Sequence, residues 1–178
     1  MNWGIHENAR MIGLPKDQLF LSDYDADWVA EFETESKSIL ECIGKHVSAI
    51  HHIGSTAVPG LRAKPIIDIA IELRDFEDGF HCVEPLAEIG YKHKIIPELP
   101  ERHYLSKGDV RTHQIHMYKP NSVYLKEQLL FRDKLRQNLK LAKDYEEIKE
   151  QLAIKYAGDR LAYAEVKTDF IKTSLSSP

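Results

Sequence analysis

Hydrophobic residues recur with two different spacings along the chain, and each spacing predicts a different kind of element. Between Asp25 and Gly44 they lie three and four positions apart, which predicts a helix over residues 26–43 with Asp25 as its N-cap. Residues 47–53 and 65–73 are short apolar runs, which are typical of strands. The second run is almost continuously apolar, so we expect a central strand that is buried on both faces.

Strand and helix patterns alternate through the first two thirds of the chain, and after them only helical spacing remains. In chain order, the later patterns predict a helix over residues 80–89, strands over residues 91–96, 102–106 and 110–118, and helices over residues 123–138, 144–157 and 159–174. Residues 1–22 show little periodicity and are expected to form an irregular arm. These elements predict an α+β fold in one domain, with a mixed sheet in a core over residues 1–120 and a helical part over residues 121–178.

Composition and charge narrow the range of partners. The 178 residues are 43% hydrophobic and 29% charged, a mixture typical of a globular protein. A net charge of −4 gives no general attraction to nucleic acid, so we expect a small-molecule or nucleotide ligand instead. No leader pattern or membrane-spanning apolar window is present, so we expect a cytoplasmic protein without a membrane partner. Cys42 and Cys82 lack a CxxC neighbour and are expected to stay reduced, and the oligomeric state is left open.

The clearest candidate chemistry lies in residues 51–72, which read HHIGSTAVPGLRAKPIIDIAIE. Gly54, Ser55 and Thr56 follow the first predicted strand, where small residues let backbone N–H groups and hydroxyls approach a phosphate. On the next strand, Asp68 and Glu72 fall on one face by the two-residue period. Carboxylates beside a phosphate-binding turn suit a divalent cation, so the segment predicts a phosphate site next to a metal site.

The run from His52 to Asp68 also resembles a known family signature. It reads His-Ile-Gly-Ser-Thr-x-Val-Pro-Gly-Leu-x-x-Lys-Pro-x-Ile-Asp, which is similar to the GrpB-like family of the DNA polymerase beta-type nucleotidyltransferase superfamily. Further matches, from Asp25 and Trp28 to the C-terminal helices, extend the resemblance over nearly the whole chain. The resemblance implies an α/β-type nucleotidyltransferase core, in which the Gly-Ser turn holds a nucleoside triphosphate and strand carboxylates hold magnesium.

Two positions depart from the pattern of active members of that superfamily. Ala70 stands where a second strand carboxylate is expected, and His116 lies on the strand that is expected to supply a third. Glu72 could replace the missing carboxylate only if the metal shifted along the strand. Asp68 with His116, and with His52, could hold a transition metal, which imidazole suits, or a single magnesium ion with waters. Alternatively, His116 could be a general base or bind a phosphate, or the histidines could simply be hydrogen-bonded strand residues.

Basic residues near the turn and on the predicted helices are further candidates. Arg62 and Lys64 flank the loop and could neutralise a triphosphate or pair with the neighbouring carboxylates. Arg132 and Arg136 lie one helical turn apart and could line the far wall of a cleft. Lys149 and Lys167 sit among apolar neighbours of the later helices and could line the same wall, but for Lys149 we favour a surface ion pair with an acidic residue such as Glu146 or Glu147.

These residues support three functional hypotheses. In the first, a nucleotidyl group passes from a nucleoside triphosphate to a small-molecule acceptor that enters from the helical side. Its phosphate-binding residues are Gly54, Ser55, Thr56, Lys64 and Arg132, and its catalytic and metal-binding candidates are Asp68, Glu72 and His116, with His52 as a further metal ligand. The alternative is a non-catalytic nucleotide- or phosphate-binding module with a degenerate active site. The third is a structural domain with a vestigial cleft.

Overall fold

A five-stranded mixed sheet forms the centre of the molecule. The computed structural model describes residues 12–15, 18, 20–97, 101–156 and 160–176, and over residues 160–165 the backbone alone. The strands are β1 (Val47–Ile53), β2 (Ile67–Leu73), β3 (Tyr91–Lys94), β4 (Arg102–Lys107) and β5 (His113–Tyr118). Their order is β1-β2-β5-β4-β3, with β2 and β5 parallel and the other neighbours antiparallel. The predicted mixed sheet, with the most apolar strand inside it, is confirmed.

Within the described ranges, five α-helices accompany the sheet. They are α1 (Asp27–Ile43), α2 (Asp78–Glu88), α3 (Val123–Gln137), α4 (Leu139–Lys155) and α5 (Arg160–Ser176). The N-cap of α1 is Ala26 and not the predicted Asp25, although the Asp25 carboxylate accepts a hydrogen bond from the Asp27 N–H at 2.9 Å just before the helix. The α+β fold is confirmed. None of the helices in this part of the chain is long and apolar enough to cross a bilayer.

Two predicted boundaries are wrong by three or more residues, each for a local structural reason. Helix α4 begins at Leu139 and not near residue 144, because the Asn138 side chain accepts a hydrogen bond from the Leu141 N–H at 3.0 Å. Strand β5 begins at His113 and not at residue 110, because Gly108, with φ +85°, starts a turn over residues 108–110. The predicted irregular arm over residues 1–22 lies largely outside the described residues.

The two faces of the sheet are covered by different helices. Ile67, Ile69 and Ile71 of β2 point to one face, where α1 and α2 complete the main apolar core. Burial of each such side chain stabilises the fold by roughly 1.5–3 kcal/mol. Asp68 and Ala70 point to the opposite face, over which α3, α4 and α5 lie. The strand period therefore places Asp68 between the sheet and the helical part of the chain.

Candidate functional site

A cleft of about 440 Å³ lies between the sheet and helices α3 to α5. This volume is in the range of small-molecule sites. Among the predicted site residues, those that line the cleft are Gly54, Ser55, Thr56, Lys64, Asp68, His116 and Arg132. Glu72, His52, Arg62 and Arg136 do not line it, and Arg136 instead donates to the Ala57 carbonyl oxygen.

The Gly54 turn is in direct contact with the Asp68 carboxylate. Gly54 follows β1 with φ 74° and ψ −173°, a backbone conformation that is essentially restricted to glycine. A Cβ atom at this position would lie 2.7 Å from Asp68 Oδ2. Both the backbone conformation and the close approach therefore require glycine, and the turn (residues 54–57) and the carboxylate form one continuous surface of the cleft.

Lys149 holds Ser55 in this turn from the helical side. Its side chain is 2% exposed, and its ammonium group donates to Ser55 Oγ at 3.2 Å and to the Arg62 carbonyl oxygen. The ammonium nitrogen also lies 4.9 Å from the centre of the Tyr145 ring, and the Tyr145 hydroxyl hydrogen-bonds Ser55. The expected surface ion pair of Lys149 is therefore wrong, because this residue lies on the buried face of α4.

The environment of Lys149 lowers the pKa of its amino group to about 7. Burial is the main cause and the positive charge of Lys167 adds to it, whereas Glu146 and Glu150 oppose the shift. The sequence contains a signal for this burial. Tyr145, Lys149 and Leu152 lie at helical spacing, so the lysine falls within the apolar stripe of its helix.

His116 lies beside Asp68 on the neighbouring strand. Its Nε2 atom is 3.6 Å from Asp68 Oδ1, a distance that permits an ionic contact but is too long for a good hydrogen bond. Burial lowers the pKa of His116, although the Asp68 carboxylate acts in the opposite direction. Nδ1 of His116 is buried without a hydrogen-bond partner among the described residues. The pair thus consists of a partly exposed carboxylate and an imidazole that favours its neutral form.

Glu72 and His52 are held away from this pair. Glu72 Oε1 accepts a hydrogen bond from the Asn121 N–H at 2.7 Å, at the loop before α3. His52 pairs with Ile69 in the sheet register, which places it on the opposite face from Asp68. Its Nε2 atom lies 3.0 Å from Thr56 Oγ1, and burial lowers the pKa of its imidazole to about 4. This arrangement does not support a contribution of either residue to a metal site with Asp68.

The cleft offers few ligands for a metal ion. Among the described residues, no group of three His, Cys, Asp or Glu side chains is placed to hold a metal ion. Asp68 supplies one carboxylate, and Ala70 lies buried where a second is expected. Magnesium is commonly held by one or two carboxylates together with substrate phosphates, which this site allows.

Basic side chains dominate the lining of the cleft. Among the described residues, Asp68 is the one carboxylate that lines the cleft. The basic residues that line it are Lys64, Arg102, Arg111, Arg132, Lys149 and Lys167. Arg132 donates to the His52 carbonyl oxygen at 3.0 Å and pairs with Asp133 at 2.8 Å. Arg62, by contrast, forms ion pairs with Asp23 and Glu150 and does not line the cleft. The site is locally positive in a chain whose net charge is −4.

Sequence comparisons identify relatives that extend over most of the chain. The sequence pattern of the family described as GrpB protein matches residues 18–177. Glutamate-rich protein GrpB of Alkalihalophilus pseudofirmus is 33% identical over 174 residues, which cover 93% of this chain and 99% of that protein. UPF0157 protein YqkA of Bacillus subtilis is 37% identical over 161 residues, which cover 90% of this chain. The matched part is 47% of YqkA, so the chain spans about half the length of that relative.

Solved structures show the same similarity to GrpB proteins and, in addition, a similarity of fold to a more distant protein. The crystal structure of conserved protein GrpB from Enterococcus faecalis has a TM-score of 0.76 and 30% sequence identity, covering 88% of this chain and 100% of that chain. Cid1 in complex with the UTP analogue UMPNPP has a TM-score of 0.51 at 13% identity, covering 74% of this chain and 42% of that chain. This second likeness establishes a nucleotidyltransferase-like fold and does not by itself assign an activity.

Proposed function

We propose that this protein, which belongs to the GrpB protein family, binds a nucleoside triphosphate in the cleft. The observation that carries the proposal is the charge of the cleft, where basic side chains outnumber the single carboxylate, Asp68, among the described lining residues. A polyphosphate complements such a site, because ammonium and guanidinium groups form charge-assisted hydrogen bonds with phosphate oxygens. The likeness of the fold to Cid1, whose structure contains a UTP analogue, supports the same class of ligand.

Each residue around the turn has a separate role in this proposal. The Ser55 hydroxyl and the backbone of the Gly54 turn bind phosphate oxygens, which approach closely because no Cβ atom intervenes. Lys149 holds Ser55 in place and, with Lys64, compensates the phosphate charge. Asp68 faces the same surface and contacts the magnesium ion that the nucleotide brings.

Nucleotidyl transfer to a small-molecule acceptor is the second candidate function, and the Asp68 and His116 pair beside the turn favours it. The acceptor hydroxyl oxygen would bond to the α-phosphorus while the bond from that phosphorus to the bridging oxygen breaks. Pyrophosphate leaves with the electron pair of the broken bond. The hydroxyl proton passes to the imidazole of His116, which is in its neutral form because burial lowers its pKa.

Calorimetric titration with ATP, GTP, CTP and UTP in the presence of magnesium tests the binding proposal. We expect at least one of these nucleotides to bind the wild-type protein. Ser55→Ala and Lys149→Met should each weaken it by about tenfold, because hydrogen bonds to charged groups are worth about 1.5–3 kcal/mol. The matched controls are Ser48→Ala and Lys143→Met, which change exposed residues of β1 and α4 and should leave the affinity unchanged. Failure of all four nucleotides to bind would overturn the proposal.

Release of pyrophosphate from the bound nucleotide separates an enzyme from a binding module. With hydroxyl-bearing small molecules as acceptors, the wild-type protein should release pyrophosphate and transfer an α-phosphate label. Asp68→Asn should bind the nucleotide but lose turnover, whereas Asp109→Asn, which changes an exposed turn residue, should retain it. Tight nucleotide binding without pyrophosphate release from any acceptor would support the non-catalytic module instead.

A further inference from the structure

Two arginines line the strand side of the cleft and have no role in the proposed triphosphate site. Arg102 is the first residue of β4, and Arg111 lies between β4 and β5. Because β2 and β5 separate β4 from β1, these strands are about 14 Å apart across the sheet, from a spacing of about 4.8 Å per strand. We call the pair Arg102 and Arg111 the arginine wall. Asp68, on β2, lies between this wall and the Gly54 turn.

Among the described residues, the side-chain partners of the arginine wall are tyrosine hydroxyl groups and not carboxylates. Arg111 hydrogen-bonds the Tyr104 hydroxyl, and Arg102 hydrogen-bonds the Tyr118 hydroxyl. Ion pairs of arginines with described carboxylates involve Arg62, Arg132 and Arg136, and thus neither residue of the wall. Nε of Arg102 is also buried without a partner among the described residues. Both arginines are partly exposed to the cleft and form no ion pair with a described carboxylate, so an anion that enters the cleft can form charge-assisted hydrogen bonds with them.

We propose that the arginine wall binds an acidic group, a carboxylate or a phosphate monoester, of the molecule that accepts the nucleotidyl group. The proposal rests on the proposed function, since it concerns the second substrate of the same cleft. The planar guanidinium fork matches both acidic groups through paired hydrogen bonds. With the triphosphate on the turn and the acidic group on the wall, the acceptor hydroxyl lies near Asp68 and His116. The acceptor therefore occupies the strand side of the cleft and not the helical side expected from the sequence.

Titration of inorganic phosphate into protein saturated with magnesium and a non-hydrolysable nucleoside triphosphate tests this proposal. The wild-type protein should bind phosphate under these conditions, because the wall remains free when the turn is filled. Arg102→Gln and Arg111→Gln should each weaken phosphate binding on the order of tenfold, since each removes a charge-assisted hydrogen bond. Arg111→Lys keeps the charge and should retain more affinity than Arg111→Gln.

Arg74→Gln is the matched control, because Arg74 is an exposed arginine in the loop that follows β2. It should leave phosphate binding unchanged. The proposal is overturned if phosphate does not bind the triphosphate-saturated protein, or if the two wall variants bind it as tightly as Arg74→Gln. Circular-dichroism melting curves establish that each variant is folded, and Arg111→Gln remains informative if the change at the more enclosed Arg102 prevents folding.

The failure of this proposal can be distinguished from the failure of the proposed function. If no nucleoside triphosphate binds, the proposed function fails, and phosphate is then titrated into the ligand-free protein. Loss of phosphate binding in Arg111→Gln but not in Ser55→Ala would still support an anion site on the wall. If only Ser55→Ala loses phosphate binding, the phosphate binds at the turn, and the proposal that the arginine wall is a binding site is overturned.

Discussion

The ammonium group of Lys149 is enclosed by Ser55, the Arg62 carbonyl oxygen and the Tyr145 ring. Its partners are neutral, and the two glutamates on the same helix only partly offset the cost of burying a charge. Protonation of the Lys149 amino group therefore affects both the stability of the fold and the binding of a ligand at Ser55. An anion bound at Ser55 would favour the protonated lysine, whereas burial in the ligand-free protein shifts the equilibrium towards the neutral amine.

The pKa of Lys149, lowered to about 7 in the folded protein, predicts how stability changes with pH. Between this value and the ordinary lysine value near 10.4, the unfolded chain binds one more proton than the folded chain. The free energy of unfolding of wild type relative to Lys149→Met should therefore rise with pH above about 7, with a slope approaching 1.4 kcal/mol per pH unit. Below about pH 7 the difference should be flat.

Urea unfolding of both proteins at several pH values measures this difference. Lys143→Met, which changes an exposed lysine of α4, is the control and should parallel the wild type throughout. If the free energies of unfolding of the wild type and of Lys149→Met change in parallel at every pH, the lowered pKa of Lys149 is contradicted.

Gly54 provides the second residue-scale prediction. Gly54→Ala should lower the free energy of unfolding by about 1–3 kcal/mol from backbone strain alone, because its φ and ψ are restricted to glycine. The new Cβ atom would also meet Asp68 Oδ2 at 2.7 Å, which adds to the destabilisation. Urea denaturation measures the change. Nucleotide affinity should fall as well, since the turn and the carboxylate must move apart.

Gly60 offers a matched control for this substitution. It also has a positive φ, of 78°, but no atom of the described, non-adjacent residues lies within 4 Å of a Cβ atom built there. Gly60→Ala should therefore show strain without a clash and destabilise the protein less than Gly54→Ala. If the two substitutions have equal effects, then contact with Asp68 contributes nothing at Gly54.

At the scale of elements, helices and strands were predicted well where a regular apolar pattern has clear end signals. Helix α1 and strand β1 agree with their predicted ranges to within a residue, because Asp25, Gly44 and the apolar run of β1 mark their ends. The predicted start of α4, at residue 144, is five residues after the observed start at Leu139, because α3 and α4 are separated only by Asn138. Such a short break leaves no polar segment that sequence periodicity could detect.

Asn138 should be important for the junction between α3 and α4. Asn138→Ala removes the side-chain oxygen that accepts the Leu141 N–H, and should lower the free energy of unfolding by about 1 kcal/mol. Asn138→Ser keeps a capping oxygen and should cost clearly less. Urea denaturation of the two variants measures the difference, and equal destabilisation by alanine and serine would exclude a capping role.

At the scale of the whole molecule, overall charge and local charge have opposite signs. The chain carries a net charge of −4, yet the cleft concentrates basic side chains from the loop after β1, from the β4–β5 region and from α3, α4 and α5. The overall charge gives no general attraction to nucleic acid. The local charge is what makes a small polyanion the ligand that the cleft complements.

The sequence by itself determined the order of the elements, the inner position of β2, the family, and the pairing of the Gly54 turn with Asp68. These features depend on local periodicity and on residues that are close along the chain. Only the tertiary structure decided which distant side chains share the cleft. It brought in Lys149 and the arginine wall and held Glu72 and His52 away, because strand register and the packing of α3 to α5 determine side-chain direction.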